Sequence, residues 1–330
     1  MAALTRVALI GAAGGILALV LTACGTSGSS GSGVSNAPSP SVAPSGSGSA
    51  EPFAEAIIET GPGPVALAAT SDSIWVELHR ADLVAQIDPA TNKQLGLTKV
   101  PVHCALAASG ESVWATIAKR DQVWRFAASS PETAELYSVR SACGLAVDGD
   151  TAWVTSPHDG AVYLLQEGVP EPIRKIEVAP DIFDIALDDN SAWVTSESDG
   201  GTLWHIDRAT YESRKVGSFP GVSADSTEIA FGSLWITSRD AGHLWKLDLA
   251  TGSVLSTYDL KEPWGVAAAG DSLWITQLEG GLVELNPDTL EVRATQQLPY
   301  TWLAPPLSAF GSLWISALEN DLVLRIPVDH

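Results

Sequence analysis

Leu273-Trp274-Ile275-Thr276 is one of seven short β-strand patterns that are each built around a tryptophan, and the repetition of this pattern decides the fold. The tryptophans recur every 39 to 42 residues. A period of that length is typical of small structural units repeated along a chain. The seven positions are Trp75, Trp114, Trp153, Trp193, Trp235, Trp274 and Trp314.

Each repeat also predicts three further strands. A small residue lies in a hydrophobic segment before each Trp, and we interpret that segment as the innermost strand because side chains near a propeller axis are crowded. A third strand follows each Trp, and a more polar fourth strand leads to the next repeat. If the turn in repeats five and seven is two residues shorter, the small residues are Ala68, Ala107, Ala146, Ala186, Ala230, Ala267 and Ala309.

The two ends of the chain predict how the repeats close into a ring. The last repeat stops at Pro327 after its third strand, whereas Glu55 to Thr60 resembles a fourth strand that precedes the first repeat. Pairing the two leaves no open strand edge, which an open solenoid would leave. We therefore predict an all-β chain: a single seven-bladed β-propeller of four-stranded blades, with its last blade closed by an N-terminal strand.

The residues before the propeller predict export and anchoring. Arg6 and the apolar run from Val7 to Leu21 are typical of a signal peptide, here residues 1–23. Leu21-Thr22-Ala23-Cys24 resembles a bacterial lipobox, which implies a lipid on Cys24 and a position on the extracytoplasmic face of the cell membrane. An ordinary signal peptide with an incidental Cys would also export the chain. Residues 24–52 form a Ser/Gly/Pro-rich tether, and the propeller spans 53–330.

Charge limits the class of partner. The formal net charge is -21, and such a surface repels phosphate backbones. We therefore expect no nucleic-acid partner. A monomer that binds a neutral or cationic small molecule, glycan or protein fits this charge.

The repeats resemble those of the bacterial lactonase-like, quinoprotein-like and virginiamycin B lyase-like propellers over residues 53–330. That group includes enzymes, cofactor binders that can hold a quinone, and interaction modules. In the lyase-like family a catalytic His lies in a Glu-Pro-His-Gly motif, whereas the matching stretch here is Glu262-Pro263-Trp264-Gly265. Because Trp cannot act as a general base, the sequence favours binding over catalysis.

Two cysteines remain in the propeller. Cys104 and Cys143 each lie ten residues before the Trp of their blade, in neighbouring blades. Equivalent positions on adjacent inner strands come close, so we predict a disulfide. Free buried thiols, or a redox or metal-binding pair, are the alternatives.

The loops that enter the inner strands predict a ligand site at one mouth of the channel. Aligning the repeats gives a ring of residues at this mouth, with matching carboxylates in blades four and five and a further one in blade six. Converging carboxylates could hold Ca²⁺ or a cationic organic ligand, and flanking aromatic side chains could stack on it. The ring is Val65, Cys104, Cys143, Phe183, Thr227, Trp264 and Pro306; the candidate ligand-binding residues are Asp181, Phe183, Asp184, Asp225, Glu228, Glu262, Trp264, Tyr300 and Trp302.

Simpler interpretations stay open for each group. The acids could be solvated loop residues, and the tryptophans could only pack between blades. The opposite side of the same rim is expected to be basic, with His79, Arg80, His103, Lys119 and Arg120. The leading hypothesis is a tethered, non-catalytic binding module. The alternatives are a metal-assisted lyase or hydrolase that uses the acids, and a scaffold of an envelope complex.

Overall fold

The computed structural model describes residues 54–102, 104–198, 201–218 and 224–328. These residues form seven antiparallel sheets of four strands each, arranged in a ring, so the predicted seven-bladed β-propeller is confirmed. No helix among the described residues is long and apolar enough to cross a membrane. The predicted signal peptide, Cys24, the tether and His103 lie outside the described residues.

The strands follow the chain from the inside of each blade to its outside, apart from the first strand. That first strand, β1, is Ala56–Glu59. Blade one is β2 (Pro64–Ala69), β3 (Ile74–Leu78), β4 (Leu83–Asp88) and β5 (Lys93–Thr98). Blade two is β6 (Leu106–Ser109), β7 (Ser112–Ile117), β8 (Gln122–Ala127) and β9 (Ala134–Ser138). Blade three is β10 (Leu145–Asp148), β11 (Thr151–Ser156), β12 (Ala161–Gln166) and β13 (Val169–Glu177).

The remaining blades repeat this order. Blade four is β14 (Ile182–Leu187), β15 (Ser191–Ser196), β16 (Thr202–Asp207) and β17 (Ser213–Ser218). Blade five is β18 (Ser226–Ala230), β19 (Ser233–Ser238), β20 (His243–Asp248) and β21 (Val254–Asp259). Blade six is β22 (Pro263–Ala269), β23 (Ser272–Gln277), β24 (Gly281–Leu285) and β25 (Val292–Gln297). Blade seven is β26 (Leu307–Ala309), β27 (Ser312–Ala317) and β28 (Leu322–Pro327), and two 3₁₀ turns are Ala118–Arg120 and Leu318–Asn320.

The ring closes as the sequence predicts. Strand β1 pairs antiparallel with β28, with Ile57 opposite Leu324 and Ile58 opposite Val323. The first strands of successive blades contact one another around the ring, and β2 contacts β26. The N-terminal strand thus supplies the fourth strand of blade seven and joins the two ends of the fold.

The repeated tryptophans pack between blades. Each lies in the second strand of its blade, and all seven are buried. Trp75 of blade one, for example, contacts Phe126 of blade two edge to face, with ring centroids 5.3 Å apart. Burying a side chain of this size at every blade junction accounts for the spacing of the repeat.

A second repeated contact is a hydrogen bond between neighbouring blades, which fixes the position of one blade relative to the next along the channel axis. The residue two positions after the Trp is a Thr in five blades, and in four of these its hydroxyl donates to a carbonyl oxygen of the following blade. The four bonds are Thr116 to Cys143 (2.8 Å), Thr155 to Phe183 (2.8 Å), Thr237 to Trp264 (2.8 Å) and Thr276 to Ala304 (3.2 Å).

The predicted two-residue shortening in blades five and seven is wrong. Glu228 lies opposite Trp235 and Leu307 lies opposite Trp314, just as Ala68 lies opposite Trp75 in blade one. The first hairpin therefore has the same length in these blades. Ala230 and Ala309 lie two residues closer to the hairpin than the alanines they were matched with. Blades five and seven place Glu228 and Leu307 at the position that other blades fill with Ala.

The corrected register changes the ring at the mouth. The residue ten positions before the Trp is Asp225 in blade five and Ala304 in blade seven, rather than Thr227 and Pro306. The hydrogen bond from Thr276 to the Ala304 carbonyl supports this assignment. The mouth ring, as we use the term below, is Val65, Cys104, Cys143, Phe183, Asp225, Trp264 and Ala304.

Candidate binding site at the entry face

The entry face of the propeller carries the segments that lead into the first strands and the loops between second and third strands. In five of the six blades whose entry segment is described at this point, the residue twelve positions before the Trp is left-handed. Asp181, Glu262 and Trp302 hold this position in blades four, six and seven, with φ of 54°, 45° and 56°. These three side chains therefore occupy equivalent outer positions, as predicted for Asp181 and Glu262. The other two are Gly63 and Ser141.

The mouth ring is covalently linked at blades two and three. Cys104 and Cys143 form the predicted disulfide, and their Cα atoms are 4.9 Å apart. The two positions are close because the inner strands of neighbouring blades run side by side. This sector of the ring is therefore occupied by a cross-link.

An apolar cluster fills the ring at blades six, seven and one. Trp264 is only 9% exposed and contacts Trp302 edge to face, with centroids 5.9 Å apart. Ala304, Leu318, Val65 and Leu278 complete the cluster. Trp264 thus packs between blades, as the simpler interpretation of the sequence had it, and does not form an open wall.

Tyr300 lies apart from this cluster. It packs against the core between blades six and seven, next to Leu298 and Leu303. The four aromatic residues selected from the sequence therefore do not form one surface. Only Trp264 and Trp302 contact each other.

Two carboxylates lie deeper, at the inner strands of blades four and five. Asp184 accepts hydrogen bonds from the Thr227 N–H (2.9 Å) and the Thr227 hydroxyl (2.8 Å). Glu228 accepts a bond of 3.3 Å from the N–H of Ala268. Together these bonds connect blades four, five and six around the axis.

The electrostatics of this pair are unfavourable for two charges. Burial raises the pKa of Asp184, although the two Thr227 bonds oppose the shift. Burial also raises the pKa of Glu228 to about 7, and the nearby charge of Asp184 adds to that rise. At neutral pH, Glu228 is therefore divided between its acid and its carboxylate form.

Asp225 belongs to a separate pair with Arg239. Its carboxylate accepts the Arg239 backbone N–H (2.7 Å) and lies 3.5 Å from the guanidinium. Burial raises the pKa of Asp225 to about 6, and both contacts with Arg239 oppose the shift. Sequence reasoning missed Arg239, although its position in the loop after β19 of the same blade could have suggested it.

The five carboxylates selected from the sequence therefore do not converge. Asp181 is exposed, and Glu262 lies beside Lys261. Within the described ranges, no group of three or more His, Cys, Asp or Glu side chains is arranged to hold a metal ion. The predicted matching of Asp181 with Asp225 fails because the register in blade five differs by two residues.

One sector of the mouth ring stays open, at blades four and five. Phe183 is 36% exposed at the ring, and the hydroxyl of Thr155 holds its carbonyl. Asp225 follows in the next blade, and Asp184 lies next to Phe183 in the chain. This open sector, defined as Phe183, Asp184, Asp225, Thr227 and Glu228, combines one exposed aromatic ring with carboxylates that lie largely buried beneath it.

The predicted basic side of the rim is partly neutralised. Arg80 pairs with Glu319 of blade seven, and His79 contacts the buried Glu77 at 3.0 Å. Lys119 and Arg120 are exposed in the first 3₁₀ turn. Of the predicted basic residues, Lys119 and Arg120 are thus exposed at blade two, whereas Arg80 is exposed but paired with an acid.

Comparison with known proteins extends the fold assignment. Virginiamycin B lyase from Staphylococcus aureus superposes with a TM-score of 0.71 at 14% identity, over 83% of this chain and 99% of that one. Hydrazine synthase from Kuenenia stuttgartiensis gives 0.72 at 16% identity, over 81% and 96%. The WD40 β-propeller domain of Doa1 gives 0.68 at 13% identity, over 84% and 97%.

No protein-family model matches the chain, and no curated protein matches its sequence. The similar structures include enzymes and a WD40 domain, and their identities to this chain are low. Proteins of unrelated function share this architecture. The likeness therefore establishes the fold: a seven-bladed β-propeller with virginiamycin B lyase-like structural neighbours.

Proposed function

We propose that this chain is a membrane-anchored, extracytoplasmic binding module without catalytic activity, whose open sector takes a neutral or cationic ligand. The observation that carries the proposal is the position of Trp264. The lyase-like resemblance would put a catalytic His at this residue, but the structure has a buried Trp packed on Trp302. An indole buried in this way can neither accept a substrate proton nor bind a metal.

The ligand class follows from the open sector. Phe183 offers an exposed ring, Asp184 follows it in the chain and Asp225 holds the equivalent ring position of the next blade. A cation or a sugar could stack on this ring and be favoured by the negative charge of the acids. A small molecule, a glycan or a side chain of a protein would satisfy this chemistry. Ca²⁺ is not favoured, because the described carboxylates do not gather into a ligand set.

A thermal-shift screen of the mature chain against glycans, cell-wall fragments and organic cations tests this proposal. A ligand of the open sector should raise the unfolding temperature of the wild type, and Phe183→Ala should remove that rise. Leu95→Ala, which changes an exposed side chain on the outer strand of blade one, should not. Stabilisation that survives Phe183→Ala would contradict the site.

Catalysis and anchoring have tests of their own. Virginiamycin B incubated with the protein should give no new product on chromatography, and turnover would overturn the non-catalytic assignment.

The tether and lipid are proposed from the sequence alone. Cys24→Ser should move the protein from the membrane fraction to the soluble fraction of the producing cell, and an unchanged distribution would contradict the anchor.

A further inference from the structure

The opposite end of the propeller, the hairpin face, carries the turns between first and second strands of the seven blades. Two of these turns have an aromatic residue at the tip. Phe231 of blade five is 40% exposed and Phe310 of blade seven is 37% exposed. Neither side chain belongs to a core cluster of the described residues.

The backbone at these two tips is unfavourable for Phe. Phe231 and Phe310 have φ of 51° and 52°, and the following Gly232 and Gly311 have φ of 69° and 65°. When both residues of a two-residue hairpin loop are left-handed, the sequence Asn-Gly is favoured, and a bulky aromatic residue is rarely found in the first position. Three other blades use glycine at the position of the Phe: Gly110, Gly149 and Gly270.

The two aromatic residues therefore cost stability without filling the core. Holding a non-glycine residue in this region destabilises the folded state, and such strain is concentrated at binding and catalytic sites. The sequence Ala-Phe-Gly-Ser occurs in both hairpins, so the arrangement is present twice on one face.

The charged side chains of the hairpins themselves are all acidic. The seven hairpins, residues 70–73, 109–112, 148–151, 188–191, 230–233, 269–272 and 309–312, contain no Lys, Arg or His. Three arginines from neighbouring segments approach the face, and each pairs with an acid: Arg208 with Asp148, Arg293 with Asp271 and Arg325 with Glu55. Arg325 also donates to the Phe310 carbonyl at 3.4 Å. The exposed carboxylates of the hairpins are Asp72, Glu111, Asp148, Asp150, Asp189 and Asp271.

From this arrangement we propose that the hairpin face, centred on Phe231 and Phe310, is a docking surface for a protein segment that carries Arg or Lys next to apolar side chains. The exposed rings bury apolar surface and accept cations on their faces. The surrounding carboxylates attract the basic residues and speed their approach. This site lies on the face opposite the open sector and does not depend on a ligand there.

A bilayer is a poorer occupant than a protein. Exposed Phe side chains can insert into a membrane interface, but the hairpins hold carboxylates and no cations. Anionic lipid headgroups would therefore repel this face, and nucleic acid would be repelled for the same reason.

The test uses the full chain and labelled twelve-residue peptides that alternate Arg with Leu, Arg with Gly, or Glu with Leu. We expect saturable binding of the Arg-Leu peptide by fluorescence anisotropy, at least tenfold weaker binding of the other two, and at least tenfold weaker binding after Phe231→Asn with Phe310→Asn. Because Asn-Gly suits these turns, the double variant should be at least as thermostable as the wild type. Leu95→Asn, which changes an exposed side chain on the outer strand of blade one, should bind the peptide as the wild type does.

Several results would overturn the proposal. One is the absence of saturable Arg-Leu binding by the wild type, and another is equal binding by the double variant. A lower unfolding temperature of the double variant would assign the two Phe residues a structural role. Sedimentation with vesicles of phosphatidylglycerol that is lost in the double variant would assign the face to a membrane.

Discussion

Blades five and seven share seven identical residues, Ala-Phe-Gly-Ser-Leu-Trp-Ile, at 230–236 and 309–315. Their hairpins are alike, and in both the indole N–H donates to the Ala carbonyl, of Ala230 at 2.9 Å and of Ala309 at 3.0 Å. The blades differ just before this stretch. Blade five places Glu228 opposite its Trp, and blade seven places Leu307 there.

The outer edges differ as well. The fourth strand of blade five follows its third strand along the chain, whereas blade seven borrows β1 from the N-terminus. A shared hairpin thus sets the local fold of a blade without setting its chemistry. The chemistry depends on the neighbouring residue at the axis, and the closure depends on a segment far away in sequence.

The largest effect on stability is expected where β1 pairs with β28 and closes the ring. Ile58→Asp puts a charge at a position that is 5% exposed and opposite Val323, so it should cost about 4 kcal/mol or more of unfolding free energy. Tyr258→Asp changes the equivalent residue of blade five, opposite Leu244, and should cost markedly less because its strand continues a hairpin. Urea unfolding compares the two. Equal losses would mean that β1 is no more vulnerable than a continuous outer strand.

The next effect is a pH dependence at Glu228. Its folded-state pKa of about 7 lies above the ordinary value of 4.5, so between these values the native state holds a proton that the unfolded state has lost. Stability should therefore fall as pH rises through this window, by up to about 3 kcal/mol, and the fall should be absent in Glu228→Gln.

Urea unfolding at pH 5 and pH 8 measures this difference. Leu307→Gln, the same amide at the equivalent position of blade seven, serves as control and should keep the wild-type pH dependence. If the free energy of unfolding changed with pH in the same way for wild type and Glu228→Gln, burial would not raise the pKa of this carboxyl.

A smaller effect is expected at Thr227, whose place in blade seven is taken by Pro306. Thr227→Val removes the hydroxyl bond to Asp184 and should cost about 1–3 kcal/mol. In the background of Asp184→Ala the cost should shrink, because the acceptor of this bond is already gone. A double-mutant cycle by thermal unfolding measures the coupling, and additive losses would contradict it.

The smallest effect compares the indole hydrogen bonds. Trp235→Phe and Trp314→Phe should lower the free energy of unfolding by equal amounts, each about 1 kcal/mol more than Trp193→Phe does. The Trp193 N–H is buried and has no hydrogen-bond partner among the described residues, so its removal is cheaper. Unfolding temperatures of the three variants test this order. A larger loss at Trp193 would show that packing outweighs the hydrogen bond.

Much of the fold could be predicted from repeats of Trp and from the unmatched strand before the first repeat. The Cys104–Cys143 disulfide was predictable because equivalent positions of adjacent blades are neighbours. The register of blades five and seven was not, since a shift of two residues keeps every side chain on the same face of its strand. The alternation of apolar residues therefore could not reveal that Ala230 had been matched with the wrong position.

The candidate site was less predictable than the fold. The partner of each carboxylate depends on its depth along the channel and on the residues that the neighbouring blade places at that depth. Asp184 therefore contacts Thr227, whereas Asp225 contacts Arg239. The sequence also could not show whether the Trp264 side chain lines the site as an exposed wall or is buried between blades. Its burial depends on Trp302 and Leu318, which approach it only in the closed ring.

The sequence by itself determined the number of blades and predicted the closing strand and the disulfide, because a constant period shows which positions of neighbouring blades are equivalent and which strand the last blade lacks. Only the tertiary structure decided that Phe183 is open, that Trp264 is covered, and that Glu228 lies at the axis with a pKa of about 7. These properties arise from contacts between neighbouring blades, where burial and nearby charge act on a side chain regardless of its position in the repeat.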